Sequence, residues 1–154
     1  DEGCSAAQIA MTLEEKKKDV RVIALLDTLE YLKRGGRISK TAAFAGNLLS
    51  IKPVIAIVDG EVAVLGKARG SKNGCNMLRE EVTKHNGIDF SLPVCLGYTG
   101  LSDAMLQKYI RDNADLWEGH IDTLPISSIG STIGTHTGPD GICVAFFSPE
   151  HIDR

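Results

Sequence analysis

Between Pro53 and Leu65 the chain carries two apolar, β-prone runs, Pro53 to Val58 and Val62 to Leu65, joined by Asp59-Gly60. A two-residue turn of this kind adopts positive φ at low cost, and its twist matches that of the strands it connects. The pattern predicts an antiparallel hairpin. Gly66-Lys67-Ala68-Arg69-Gly70 extends the second strand, and Ser71 opens a helix toward Asn86.

The rest of the chain is read around that hairpin. Ala6, Ala7, Ile9, Ala10 and Leu13 recur at helical spacing, which predicts a helix over residues 5–18. Val20 to Leu26 is continuous in hydrophobicity and reads as a buried strand. Asp27-Thr28-Leu29-Glu30 has the form of a capped helix start, and that short helix must stop at Gly35-Gly36, where positive φ costs least. Ser39 or Thr41 can cap a second short helix over Ala42 to Leu49. Further strands are expected at residues 91–98, 121–128 and 141–147. Ser102 caps a helix whose stripe of Met105, Leu106, Tyr109, Ile110 and Ala114 is packing rather than a cofactor site. Five or six strands interleaved with helices, one hairpin among them, give an α/β (α+β-like) fold with a mixed sheet.

The length, 154 residues, suits one domain, and 43% hydrophobic with 24% charged residues is the balance of a soluble globular chain. With only 5% aromatic residues the core must be aliphatic, and base-stacking platforms have little material; a net charge of −3 also argues against nucleic acid. No stretch predicts stable membrane insertion. The start, Asp1-Glu2-Gly3, has neither a Met nor an export signal, which suggests a processed chain or part of a longer one. Charge is unevenly spread. From Tyr31 to Lys72 there are eight basic residues against Asp59 and Glu61, a balance of +6, and the remainder carries −9. Such a segment suits an anionic ligand or acidic partner, or is simply a solvated face.

Cys4, Cys75, Cys95 and Cys143 lie far apart with no ligand spacing, so no metal site is expected, and they read as reduced thiols packed as small hydrophobes in a cytoplasmic protein. Gly66-Lys67 does not make a phosphate loop, since Ala68 stands where Ser or Thr is needed. Gly97-x-x-Gly100 is an ordinary strand-to-helix turn or a weak anion site. The segment Ile129 to Pro139 packs glycines, hydroxyls and one histidine into what reads as a loop able to approach a ligand closely. His136 within it is either a hydrogen-bonded structural residue or a group that binds a carboxylate or phosphate. Gly35-Gly36-Arg37 likewise either ends a helix or lets Arg37 present its fork to an anion.

Two separated stretches carry a family resemblance. Leu26-Asp27-Thr28-Leu29-Glu30-Tyr31-Leu32-Lys33-Arg34-Gly35-Gly36-Arg37-Ile38, followed by Leu48-Leu49-Ser50-Ile51-Lys52-Pro53-Val54, resembles the hallmark of the DegV family of bacterial fatty-acid-binding proteins. Ile133-Gly134-Thr135-His136-Thr137-Gly138-Pro139-Asp140-Gly141, followed by a strand, resembles that family's C-terminal signature. The resemblance runs through nearly the whole chain, Gly66 to Gly70 included. It implies the C-terminal domain of a two-domain protein that encloses one acyl chain between its halves. Residues 1–18 would then be a helix and connector from the preceding domain, and residues 19–154 the C-terminal domain; the N-terminal domain, which in the family helps hold the carboxylate, is absent from this sequence.

By the same resemblance His136, Thr135, Thr137, Gly134, Ile133 and Arg37 would line the ligand site. Arg34, Lys67 and Arg69 would lie at the pocket mouth, where an ATP-dependent fatty-acid kinase docks. No cofactor is implied; the ligand is a long-chain fatty acid, and the protein is a binding subunit rather than an enzyme. Burial of a palmitate-length tail would contribute roughly 10 kcal/mol before ordering costs, at about 0.8 kcal/mol per methylene, whereas a buried carboxylate needs hydrogen-bond donors. Two alternatives stay open: a phosphoryl- or acyl-handling hydrolase or transferase with His136 as acid/base, and an interaction domain with a basic docking face.

Overall fold

The structure is a computed structural model and describes residues 3–38, 50–84, 86–117 and 119–149. Its centre is a mixed sheet of strands β1 (Val20–Leu25), β2 (Ile51–Val58), β3 (Glu61–Arg69), β4 (Cys95–Tyr98), β5 (Ile126–Ser128) and β6 (Ile142–Phe147), in the order β3-β2-β1-β6-β4-β5. Only the β4–β5 pair is parallel among these. The α-helices among the described residues are α1 (Ala6–Lys16), α2 (Glu30–Arg34), α3 (Gly70–Thr83), α4 (Ala104–Asp112) and α5 (Ser131–Thr137).

The hairpin is as expected. Val58 pairs with Glu61, and Asp59 and Gly60 take φ of 51° and 81°, the left-handed values a two-residue turn requires. The register shifts between Val54 and Ile55, so Leu65 has no partner of its own on β2.

Alternation along β1 and β6 divides the sheet into two unlike faces. Ile23 and Leu25 on β1 lie opposite Val144 and Ile142 on β6, and these, with Val54, Leu96 and Phe146, form the main core under α3 and α4. Leu78 and Val82 of α3 and Leu106, Tyr109 and Ile110 of α4 seal that layer. The other face carries Val20, Val22 and Ala24 opposite Phe147, Ala145 and Cys143, all half-buried. Among the described residues one end of it is closed by a small cluster of Leu26, Leu32 and Ile55 that seats α2.

Several expected elements differ in detail. The strand at 91–98 begins only at Cys95, because Ser91 instead turns back to hydrogen-bond Asp89. Residues 121–128 split into a 3-10 turn (Ile121–Thr123) and the short β5, with Ile121 and Leu124 packed on the core. The cap of α2 is not formed by Asp27: Thr28 accepts from the Glu30 amide, and Asp27 pairs with Lys52. Asp103 stands at the N-cap position of α4, while Ser102 Oγ accepts from the Ala104 amide. The helix expected over Ala42 to Leu49 lies outside the described residues. α1 forms with the reciprocal Ser5–Gln8 cap, yet none of its residues is buried, and Ile9, Met11 and Leu13 face outward. Of the cysteines, Cys75 and Cys143 are half-buried, but Cys4 and Cys95 are exposed rather than packed.

Candidate functional site: the junction of α2 and α5

Several chain segments reach the same end of the sheet. β1 finishes there at Leu25 and leads into α2; β6 starts there at Ile142, just after α5; β2 begins at Ile51, and β3 ends at Arg69, its register partner. The two sequence signatures therefore meet although they are far apart in the chain.

The segment expected as a loop is a helix. Gly130 stands at its N-cap position, and Gly138, with φ of 76°, ends it. Its glycines and threonines have low helix propensity, so contact with α2 rather than local preference holds it. A Cβ on Gly138 would lie 2.4 Å from Tyr31 Cδ2, and a Cβ on Gly35 would lie 2.1 Å from His136 Nδ1. At both points the backbone of one helix is pressed onto a ring of the other, which no larger residue would permit.

The hydroxyls of Thr135 and Thr137 donate to the carbonyls of Ser131 and Ile133 at 2.7 and 3.0 Å. They are thus engaged within the helix and are not free donors for an anion. His136 is half-buried, with Nδ1 enclosed and unpartnered among the described residues. Ile133 is 55% exposed, and the space beside Gly134 is open. Across the junction the chain turns at Gly36 (φ 68°), the Arg37 amide donates to Leu32 O at 2.8 Å, and Arg37 Nη1 donates to Gly35 O at 2.9 Å. Arg37 is exposed but folds back on its own turn. Arg34 is also exposed and pairs with Glu30. Lys67 and Arg69 alternate onto the half-buried face of β3, opposite Pro53 and Ile51. The structure brings Arg34, Arg37, Lys67, Arg69 and His136 to one end of the sheet.

Beyond that end the same face carries, beside Val20, Val22 and Phe147, several small residues: Ala24 on β1, Cys143 and Ala145 on β6, and Gly97 on β4. Ile129 and the Cys143 thiol close over Gly97, where a Cβ would come within 3.0 Å and 2.8 Å of them. Burial pushes the Cys143 thiol up to about 11. β6 signals the two faces by alternating large Ile142, Val144 and Phe146 with smaller Cys143 and Ala145. Among the described residues no group of His, Cys, Asp and Glu could hold a metal ion, and no helix is long and apolar enough to cross a membrane.

Residues 1–149 match the model of a family described as "Uncharacterised protein, DegV family". The chain belongs to the DegV family. A DegV domain-containing protein of Caldanaerobacter subterraneus is 35% identical over 146 residues, covering 94% of this chain and 51% of that protein. A solved structure described as a fatty acid binding DegV family protein of Streptococcus agalactiae superposes with a TM-score of 0.76 at 25% identity, over 97% of this chain and 52% of that one. The Fatty Acid Kinase B3 protein of Streptococcus pneumoniae, loaded with linoleic acid, has the same fold, with a TM-score of 0.75 at 18% identity over 96% of this chain and 51% of its own. The DegV chain described here thus spans about half the length of the relatives it matches.

Proposed function

We propose that this chain is the C-terminal half of a long-chain fatty-acid carrier, with the acyl tail on the half-buried sheet face and the carboxylate at His136. The observation that carries the reading is the coincidence, at one end of a half-buried apolar sheet face, of a half-buried histidine and a group of cations. Such a site matches a ligand with a long apolar body and one anionic end. The Streptococcus agalactiae relative, described as fatty acid binding, supports the ligand class.

Residues 19–154 form the C-terminal domain in this reading, residues 1–18 the connector, and a preceding domain covers the half-buried sheet face. Ile133 and Gly134 border the tail. Thr135 and Thr137 hold the helical turns around His136, and Arg37 adds positive charge beside the headgroup. Arg34, Lys67 and Arg69 form the docking face for a separate ATP-dependent fatty-acid kinase, to which the carboxylate is presented in the cytoplasm. The chain binds and presents; the phosphoryl transfer belongs to the kinase. The name of the Streptococcus pneumoniae relative supports that partner class.

The test is to express the chain together with the region that precedes it in its relatives and to extract bound small molecules for mass spectrometry. A long-chain fatty acid in about equal amount to protein is expected. A protein that retains none, even when supplied with fatty acid, overturns the reading. Charge reversal at Arg34 and Arg69 should weaken kinase binding while lipid is retained, and loss of both together would refute the assignment of a separate docking face.

A further inference from the structure

The Gly35–His136 contact has a chemical direction. The ideal Cβ position on Gly35 lies 2.1 Å from His136 Nδ1 and 2.8 Å from Cε1. Glycine carries a hydrogen in that direction, so a Cα–H of Gly35 points at Nδ1. Nδ1 is otherwise enclosed without a hydrogen-bond partner among the described residues, although the residue as a whole is only half-buried.

A neutral imidazole carries its proton on one nitrogen and a lone pair on the other. With the proton on Nδ1, a buried N–H would face a C–H and remain unpaired, which is costly. With the proton on Nε2, the bare Nδ1 accepts a weak Cα–H contact and the ring's other edge carries a donor. The neighbouring group sets the tautomer, as the partner of one ring nitrogen generally does for the other.

We propose that Gly35 is a positioning residue for His136, holding the ring with Nδ1 bare against α2 so that Nε2–H is presented as the donor to an anionic headgroup. The anion's identity rests on the fatty-acid reading; the tautomer does not. Any side chain at residue 35 would displace the ring, although Gly35 itself touches no ligand.

The tautomer can be read by long-range proton–nitrogen correlation on the nitrogen-15-labelled chain, at a pH where the ring is neutral, with the His136 signals assigned from a His136→Gln variant. The pattern of a ring protonated on Nε2 is expected, and a ring protonated on Nδ1 overturns the proposal without any need for the Gly35 variant to fold. Gly35→Ala should shift the His136 ring signals. Joined to the preceding region, it should lower fatty-acid retention by on the order of tenfold, the loss expected for one charge-assisted hydrogen bond.

Gly130→Ala, at the start of the same helix with open space around its Cβ, should leave the ring signals unchanged. In a His136→Ala background, Gly35→Ala should have no further effect on retention. Unchanged ring signals in Gly35→Ala, or a full further loss in the His136→Ala background, overturn the proposal. If no form retains lipid but the ring is protonated on Nε2 and responds to Gly35→Ala, the fatty-acid reading fails and the positioning role stands.

Discussion

Gly35 and His136 are 101 positions apart in sequence, and in space they leave no room for a methyl group between them. The same helix pair makes a second such contact between Tyr31 and Gly138. The two signatures are therefore two sides of one interface, and each glycine is read by an aromatic side chain of the other segment.

Gly138 meets two constraints at once, a φ of 76° and the Tyr31 ring. Gly138→Ala is expected to cost about 3 kcal/mol, combining left-handed backbone strain with overpacking. Tyr31→Ala should recover the overpacking part, so the double variant is less damaging than the two single effects together. Denaturant midpoints measure all three, and strict additivity would contradict the contact.

Cys143 gives the protein an alkaline limit. Its native thiol holds its proton to about 11 against an ordinary 9.0, because burial penalises the thiolate. Below pH 9 both native and unfolded thiols are protonated and the contribution is complete. Above that the unfolded state ionises first, and about 3 kcal/mol is lost by about pH 11. Unfolding free energies of the wild type and Cys143→Ala, compared across this window, should converge as the wild type loses its term; parallel curves would contradict the assignment. Tyr109, also raised by burial, acts in the same direction at higher pH in both proteins.

How much of this was readable in advance depended on where the determining contacts lie. Asp59-Gly60 sets its hairpin through local φ, Val20 to Leu25 is apolar apart from Arg21, and Ile142 to Phe147 is a continuous apolar run, so those strands were legible. Ser131 to Thr137 read as a loop because glycine and threonine disfavour helix locally, and only the packing of α2 overrides that preference. Ile121 and Leu124 are apolar because they cap the core from a turn, which a run of hydrophobicity cannot distinguish from a strand. His136 was legible as a candidate; that its Nδ1 would face a glycine required knowing which helix lies beside it.

Tyr109 is 1% exposed and packs edge-on against Trp117, with ring centroids 6.1 Å apart, but its hydroxyl has no hydrogen-bond partner among the described residues. Tyr109→Phe keeps the ring contact and removes the unpaired group. A gain of about 1 kcal/mol is expected in equilibrium unfolding. Destabilisation would show that the hydroxyl is satisfied in solution.

Lys52 and Asp27 pair across the end of the sheet with unequal burial: the Lys52 side chain is 19% exposed and Asp27 45%. Removing Asp27 strands a mostly buried ammonium group, whereas Lys52→Met keeps the apolar stem and leaves a carboxylate that water can reach. Asp27→Ala should therefore cost about 2 kcal/mol and Lys52→Met under about 1 kcal/mol. Equal losses in thermal unfolding would contradict that asymmetry.

The sheet order also bears on how the molecule comes together. β1 and β6 are neighbours at its centre, so Val20 must find Phe147 across most of the chain, whereas β2 and β3 need only close a two-residue turn. Loop-closure entropy sets these events apart in time. On a ribosome the hairpin can form while the chain is still short, but the central seam waits for the last strand to emerge. Until then β1 presents an unpaired edge beside apolar surface, the arrangement from which nascent chains aggregate, and late synthesis of β6 becomes the step that commits the chain to its native sheet.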